Sequence, residues 1–138
     1  MQPPDSTKPL LLYADDDPDD ILLIHHTFRD NNIAVELVTV SDGMQALAFL
    51  ESIPEGGRLP SLVLLDVNMP KLNGRDTLVR LREVKRLAAI PVMLFTTSSM
   101  ELHRSFARRY NAGFMTKPLR DYQLQALVDK FLLINAAL

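Results

Sequence analysis

The sequence predicts an α/β fold, a parallel sheet covered by helices on both faces. Three observations lead there. The short apolar runs at 10–14, 62–65 and 90–95 are unbroken rather than alternating, as in strands buried on both sides. The stretches between them carry apolar residues at helical spacing. Turn-forming or charged residues close each run, so strands and helices alternate, five of each, and successive strands must lie parallel.

The first run, Leu10-Leu11-Leu12-Tyr13-Ala14, ends on Asp15-Asp16-Asp17. Asp17 is suited to cap a helix with Pro18 at its first position, and Asp19 and Asp20 favour the positive end of the helix dipole. That helix is expected to reach about Asp30, with Leu23, Ile24, Thr27 and Phe28 inward and Asn31-Asn32 closing it. Residues 34–40 are rich in β-branched side chains and predict a second strand. Ser41-Asp42-Gly43 opens a second helix with Ala46, Leu47, Leu50 and Ile53 on one face. Gly56-Gly57 and Pro60 mark the loop into the central strand.

Asp66 stands where that strand leaves the sheet, and Pro70 and Asn73-Gly74 force a turn. The segment from Gly74 to about residue 89 is expected to be helical, with Leu78, Leu81 and Leu87 inward and Arg80, Arg82, Lys85 and Arg86 largely outside. The fourth strand is expected over 90–95, with its proline tolerated at the start. Thr96-Thr97-Ser98-Ser99 follows and can cap a helix over 100–111. A short fifth strand, 113–116, leads to Lys117-Pro118. The last helix, 121–135, carries Leu124, Leu127, Val128, Phe131 and Leu132 on one stripe.

The 138 residues fit one domain, 1–138 with a core over 9–135, and 47% are apolar against 23% charged, an ordinary globular balance. There is no Cys, which removes disulfides, thiolate metal sites and a Cys nucleophile. A formal charge of −2 offers no basic excess for nucleic acid. No apolar run approaches the ~20 residues of a membrane span, and residues 1–8 do not resemble a signal peptide. A cytoplasmic address is expected.

Asp15-Asp16, Asp66 and Thr96 close three strands, and Lys117 follows the fifth. In a parallel sheet these ends share one edge, where ligands bind. Three carboxylates converging there need a cation, and all-oxygen donors suit Mg2+. With an ammonium and a hydroxyl added, the set suits phosphoryl transfer, Asp66 acting as a nucleophile that forms an acyl phosphate.

These residues, in this order and spacing from Leu10 to Leu132, resemble the receiver domains of two-component response regulators, the CheY-like family. The resemblance rests on Asp15-Asp16, Asp66-Val67-Asn68-Met69-Pro70 with Gly74, Thr96, and Lys117-Pro118. It implies a flavodoxin-like, doubly wound five-stranded parallel sheet of order 2-1-3-4-5 with five helices. It implies that Asp66 takes phosphate from a sensor histidine kinase. Asp16, Asp66 and the carbonyl of Asn68 would ligate Mg2+ directly, and Asp15 through a water. Lys117 would pair with the phosphoryl group, the bond before Pro118 would be cis, and Thr96 with Phe114 would form the switch. Two positions depart from the usual pattern: Thr97 replaces a commonly small residue, and Phe114 a frequent Tyr. The narrower likeness is to stand-alone receivers, among them those paired with bacterial phytochromes. With no length left for an output domain, output is expected through the fourth helix, fifth strand and fifth helix, by kinase binding or homodimerisation.

Competing readings are weaker. A phosphohydrolase of the haloacid dehalogenase type needs a second Asp two residues after the nucleophile, where this chain has Asn68, so no enzyme beyond self-catalysed phosphotransfer is expected. A binding module without phosphorylation would be expected to show a damaged acidic site. Asp17, Asp19 and Asp20 are expected as a solvated helix start, His25-His26 as solvated, and Arg104, Arg108 and Arg109 as an exposed helix face.

Overall fold

The computed structural model describes residues 8–97, 101–117, 120–127 and 129–130. Among the described residues five strands and five helices alternate: β1 (Leu10–Ala14), α1 (Pro18–Asp30), β2 (Glu36–Val40), α2 (Gly43–Ser52), β3 (Leu62–Asp66), α3 (Gly74–Glu83), β4 (Val92–Thr96), α4 (Glu101–Arg109), β5 (Gly113–Thr116) and α5 (Asp121–Leu127). All pairings are parallel and the order is β2-β1-β3-β4-β5. The chain reverses direction across the sheet between β1 and β3, and there the carboxyl ends of the strands open a crevice.

Two cores sandwich the sheet. On one face Leu12, Val63, Leu65 and Leu94 meet Ala46, Leu47 and Leu50 of α2, Leu78 and Leu81 of α3, and Ala107 of α4. On the other, Leu11, Tyr13, Leu64 and Phe95 meet Ile24 and Phe28 of α1 and Leu124 and Leu127 of α5. The unbroken apolar strands follow from this: β1 and β3 are buried at every position.

The expected cap of α1 is present, and α2 and α3 are capped as well. Asp17 accepts from the Asp19 N–H with Pro18 next to it, Asp42 caps α2 by accepting from Gln45, and Asn73 caps α3 by accepting from Asp76. Asn32, with φ 53°, turns the chain out of α1, and the Ile33 N–H bonds back to Phe28 O at 2.9 Å.

Several boundaries differ from expectation. Leu23 is 47% exposed, because the inward stripe of α1 runs through Ile24, Thr27 and Phe28 and Leu23 falls on its flank. β2 begins at Glu36 rather than 34, and β4 spans Val92–Thr96 rather than 90–95. α3 stops at Glu83, where Val84 turns extended; Leu87 is still buried, but from a turn closed by its N–H on Val84 O. Arg82 and Arg86 are not simply outside. Arg82 donates to the carbonyls of Ile90, Tyr110, Ala88 and Asn111, and Arg86 to those of Ile53 and Leu50. Both satisfy carbonyls left open where elements end. α4 is described over Glu101–Arg109 and α5 over Asp121–Leu127. The expectations for Ser98, Ser99, Pro118, Val128, Phe131 and Leu132 lie outside the described residues.

Candidate phosphoryl-transfer site

Each chemically active side chain is carried to the crevice by the end of a strand. β1 delivers Asp15, fully buried, and Asp16, exposed. β3 delivers Asp66, 4% exposed, and β4 delivers Thr96, fully buried. Lys117 follows β5, held by its backbone N–H on Thr96 O at 2.8 Å. The loop after Asp66 is closely fitted: the Gly74 N–H bonds to Val67 O at 3.0 Å. A Cβ on Gly74 would lie 2.2 Å from the Asp66 carbonyl oxygen, so only glycine permits this approach.

The Lys117 ammonium is the hub. Its Nζ donates to Asp20 Oδ2 at 2.8 Å, Asp15 Oδ2 at 2.9 Å and Asp66 Oδ2 at 3.0 Å. Asp66 Oδ1 accepts from the Asn68 N–H at 3.2 Å. The Asn68 amide stands 3.5 Å from Thr96 Oγ1, at the long limit of a hydrogen bond. Asp15 Oδ2 also takes the Tyr13 hydroxyl at 2.5 Å, and Oδ1 the Asp17 N–H at 2.9 Å. Tyr13 is stacked on Phe95, centroids 5.3 Å apart.

This wiring separates the two buried carboxylates electrostatically. Burial pushes both upward. At Asp66 burial dominates, with the Asp15 charge adding to it and Lys117 only partly opposing, and its carboxyl is raised to about 7. At Asp15 the donors Tyr13, Asp17 N–H and Lys117 outweigh burial and hold it below the usual carboxylate range. Burial would lower Lys117, but Asp20, Asp15 and Asp66 keep it above its ordinary value. Burial, then the Asp15 carboxylate, raise Tyr13, which stays a donor.

Asp15, Asp16 and Asp66 each offer an oxygen within 4.8 Å of the others. The donors are all oxygen, and Asp15, Asp20 and Asp66 share one ammonium, with the Asp16 carboxylate close to Asp15 and Asp66. That charge excess and donor type fit a hard divalent cation. Asp16, Asp20, Asp66, Asn68, Thr97 and Lys117 line the crevice, which opens to solvent. Such a site can bind a cation and a phosphoryl group side by side.

The structure thus brings Asp15, Asp16, Asp66, Asn68, Thr96 and Lys117 together. Phe114 stands apart, in β5 opposite Leu94, with the Arg104 guanidinium 4.9 Å from its ring centroid and His103 stacked at 6.5 Å. Asp20 was expected as a solvated helix residue; it belongs to the site instead. Its signal was its position one turn before Ile24, on the inward stripe of α1.

A comparison with known families matches the response regulator receiver domain over residues 11–129. The chain belongs to that family. Among curated receiver proteins, the probable methanogenesis regulatory protein FilR2 of Methanothrix harundinacea is 32% identical over 88% of this chain and 79% of its own length. Response regulator Rcp1 of Synechocystis sp. is 35% identical over 67% of this chain, which spans 64% of Rcp1. Among solved receiver structures, the Mn2+-bound form of Rcp1 superposes with a TM-score of 0.78 at 28% identity, covering 90% of this chain and 94% of that one. The phosphorylated cyanobacterial phytochrome response regulator RcpA gives 0.73 at 32%, covering 88% and 89%. As a receiver domain, the chain is a two-component signalling protein with the doubly wound fold expected of it. No described helix is long and apolar enough to cross a membrane.

Proposed function

We propose that this receiver domain is a phosphorylation-driven switch in which Asp66 accepts a phosphoryl group from a phosphohistidine of a sensor kinase. The observation that carries this reading is the convergence on Asp66 of the Lys117 ammonium and the Asp15-Asp16 pair. An Asp66 oxygen attacks the phosphorus. The P–O bond forms as the P–N bond breaks, and the leaving imidazole keeps the electron pair and takes a proton from water. Lys117 and the Asn68 N–H meet the charge that gathers on the transferred oxygens, and the Thr96 hydroxyl donates as it turns inward. Asp16, Asp66 and the Asn68 carbonyl would hold Mg2+ directly and Asp15 through water; the chemistry the ion supplies when bound is neutralisation of the phosphoryl oxygens. Asp15 suits an outer role, since three protein donors already occupy it.

The likeness to the phytochrome response regulator RcpA supports a phytochrome-type sensor kinase as donor; residues 1–138 are read as one receiver domain acting in the cytoplasm. Output would pass through the α4-β5-α5 face, where Leu102 of α4 and Tyr122 of α5 are exposed and Arg104 covers the Phe114 ring. Thr97 at the crevice mouth would slow access of donors and water. The reading is tested with acetyl phosphate and Mg2+. One phosphoryl group per chain, decaying slowly and labile to base, supports it; continuous turnover of the donor would favour a phosphohydrolase.

A further inference from the structure

The Lys117 ammonium has three hydrogens, and Asp15, Asp20 and Asp66 take one each. Its donors are therefore all spent before any phosphoryl group arrives. The lysine side chain is 13% exposed and Asp20 32%, so the contact lies at the crevice mouth, partly screened from water. Nothing in phosphotransfer chemistry requires a third carboxylate there, and the acids close enough to share a cation are Asp15, Asp16 and Asp66, without Asp20.

The two anchors other than Asp66 are fixed differently from it. Asp15 is pinned by Tyr13 and the Asp17 N–H. Asp20 projects from the first turn of α1, whose next inward residues, Ile24, Thr27 and Phe28, are buried in the core. Neither changes charge when Asp66 is modified. Asp66 does: as an acyl phosphate its carboxyl group is neutral, and the negative charge moves to the phosphoryl oxygens.

We propose that Asp20 is a positioning residue which, together with Asp15, holds Lys117 Nζ in place in both states of Asp66. The inference rests on Asp66 being the phosphoacceptor. When Asp66 is modified, only one of the three N–H groups needs a new acceptor, the one on Asp66 Oδ2, and the phosphoryl oxygens of the same residue supply it. The other two bonds persist. Without Asp20, a flexible four-carbon stem is held by Asp15 alone while the Asp66 bond is exchanged, and ordering it again at each phosphorylation costs rotamer freedom. Asp20 does not compete with the phosphoryl group for Lys117, because the incoming acceptor replaces Asp66's own oxygen.

The test uses the full chain with 15N-labelled lysine. In the metal-free protein the Lys117 ammonium, assigned through Lys117→Arg, should give a resonance protected from exchange with water. Asp20→Ala should broaden or abolish it, and Asp20→Asn, which keeps an acceptor oxygen without the charge, should weaken it less. Calorimetric affinity for beryllofluoride in saturating Mg2+ should fall roughly tenfold in Asp20→Ala, the scale of re-ordering one long side chain, and less in Asp20→Asn. An unchanged resonance in Asp20→Ala, or beryllofluoride bound as tightly as by the wild type or more so, overturns the proposal. A wild type that takes up no beryllofluoride sinks the phosphoacceptor reading instead; the metal-free resonance then still decides whether Asp20 positions Lys117.

Discussion

The Tyr13 hydroxyl donates to Asp15 Oδ2 at 2.5 Å from inside the core, with both residues no more than 1% exposed. β1 places the two side chains two residues apart on the same face of the sheet. Hydrogen bonds to charged groups contribute about 1.5–3 kcal/mol. Tyr13→Phe keeps the ring against Phe95 and removes only the donor, so we expect a loss of stability in that range. Urea unfolding of the metal-free protein should show a lower midpoint with an unchanged slope. An unaltered midpoint would mean that the hydroxyl contributes nothing to holding Asp15.

The two members of the acid pair should differ towards metal. Asp15 is occupied by Tyr13, Asp17 and Lys117, while Asp16 is exposed at the crevice. Asp16→Ala is therefore expected to weaken Mg2+ binding more than Asp15→Ala, by calorimetry on both variants. Equal affinities would remove Asp16 from the direct ligands.

Asp66 makes stability depend on pH. Its carboxyl is raised to about 7 by burial, well above an unfolded aspartate near 4. The folded metal-free chain thus binds a proton at Asp66 that the unfolded chain has released. The stability this contributes is present in full below about pH 4 and is lost as pH rises through about 7. Denaturation midpoints in chelator between pH 5 and 8 should fall with pH more steeply in the wild type than in Asp66→Asn, a comparison that cancels the titrating groups away from Asp66. Mg2+ competes with that proton, so its affinity should rise over the same window. Parallel pH profiles in the two proteins would contradict the assignment.

Arg108 projects from α4 and pairs with Glu101 at 2.7 Å, with both side chains more than two-thirds exposed, so the pair adds little to stability. Both remain accessible to a partner. We expect beryllofluoride to shift the chain towards a dimer or tighter kinase binding, and Arg108→Glu to reduce that shift at least tenfold, equivalent to ~1.4 kcal/mol. Light scattering with and without the mimic measures the first, and titration with kinase the second. A mass and kinase affinity indifferent to both would place output on another face.

Much of this molecule was legible in its sequence because the strands are buried on both faces. β1 and β3 could be read from unbroken apolar runs, and Asp15, Asp66, Thr96 and Lys117 stood out because polar groups ending such runs need partners. Asp20 escaped because a carboxylate in the first turn of a helix is already accounted for by the dipole; its bond to Lys117 spans 97 positions in the chain. Arg82 escaped for a similar reason. Its helix pattern places it outside, but its partners Tyr110 and Asn111 come from the far end of α4, a contact that only the folded topology creates. Leu23 was misplaced because periodicity gives a stripe but not its exact centre.

In this reading Asp66 alone receives the phosphoryl group. Intact-protein mass spectrometry of the wild type and Asp66→Asn, each incubated with acetyl phosphate with and without Mg2+, tests it most directly. The wild type should gain one phosphoryl group, only with the metal, and the folded variant none, because its amide keeps the shape but not the nucleophile. Substantial labelling of Asp66→Asn, or equal labelling of the wild type in chelator, would contradict it.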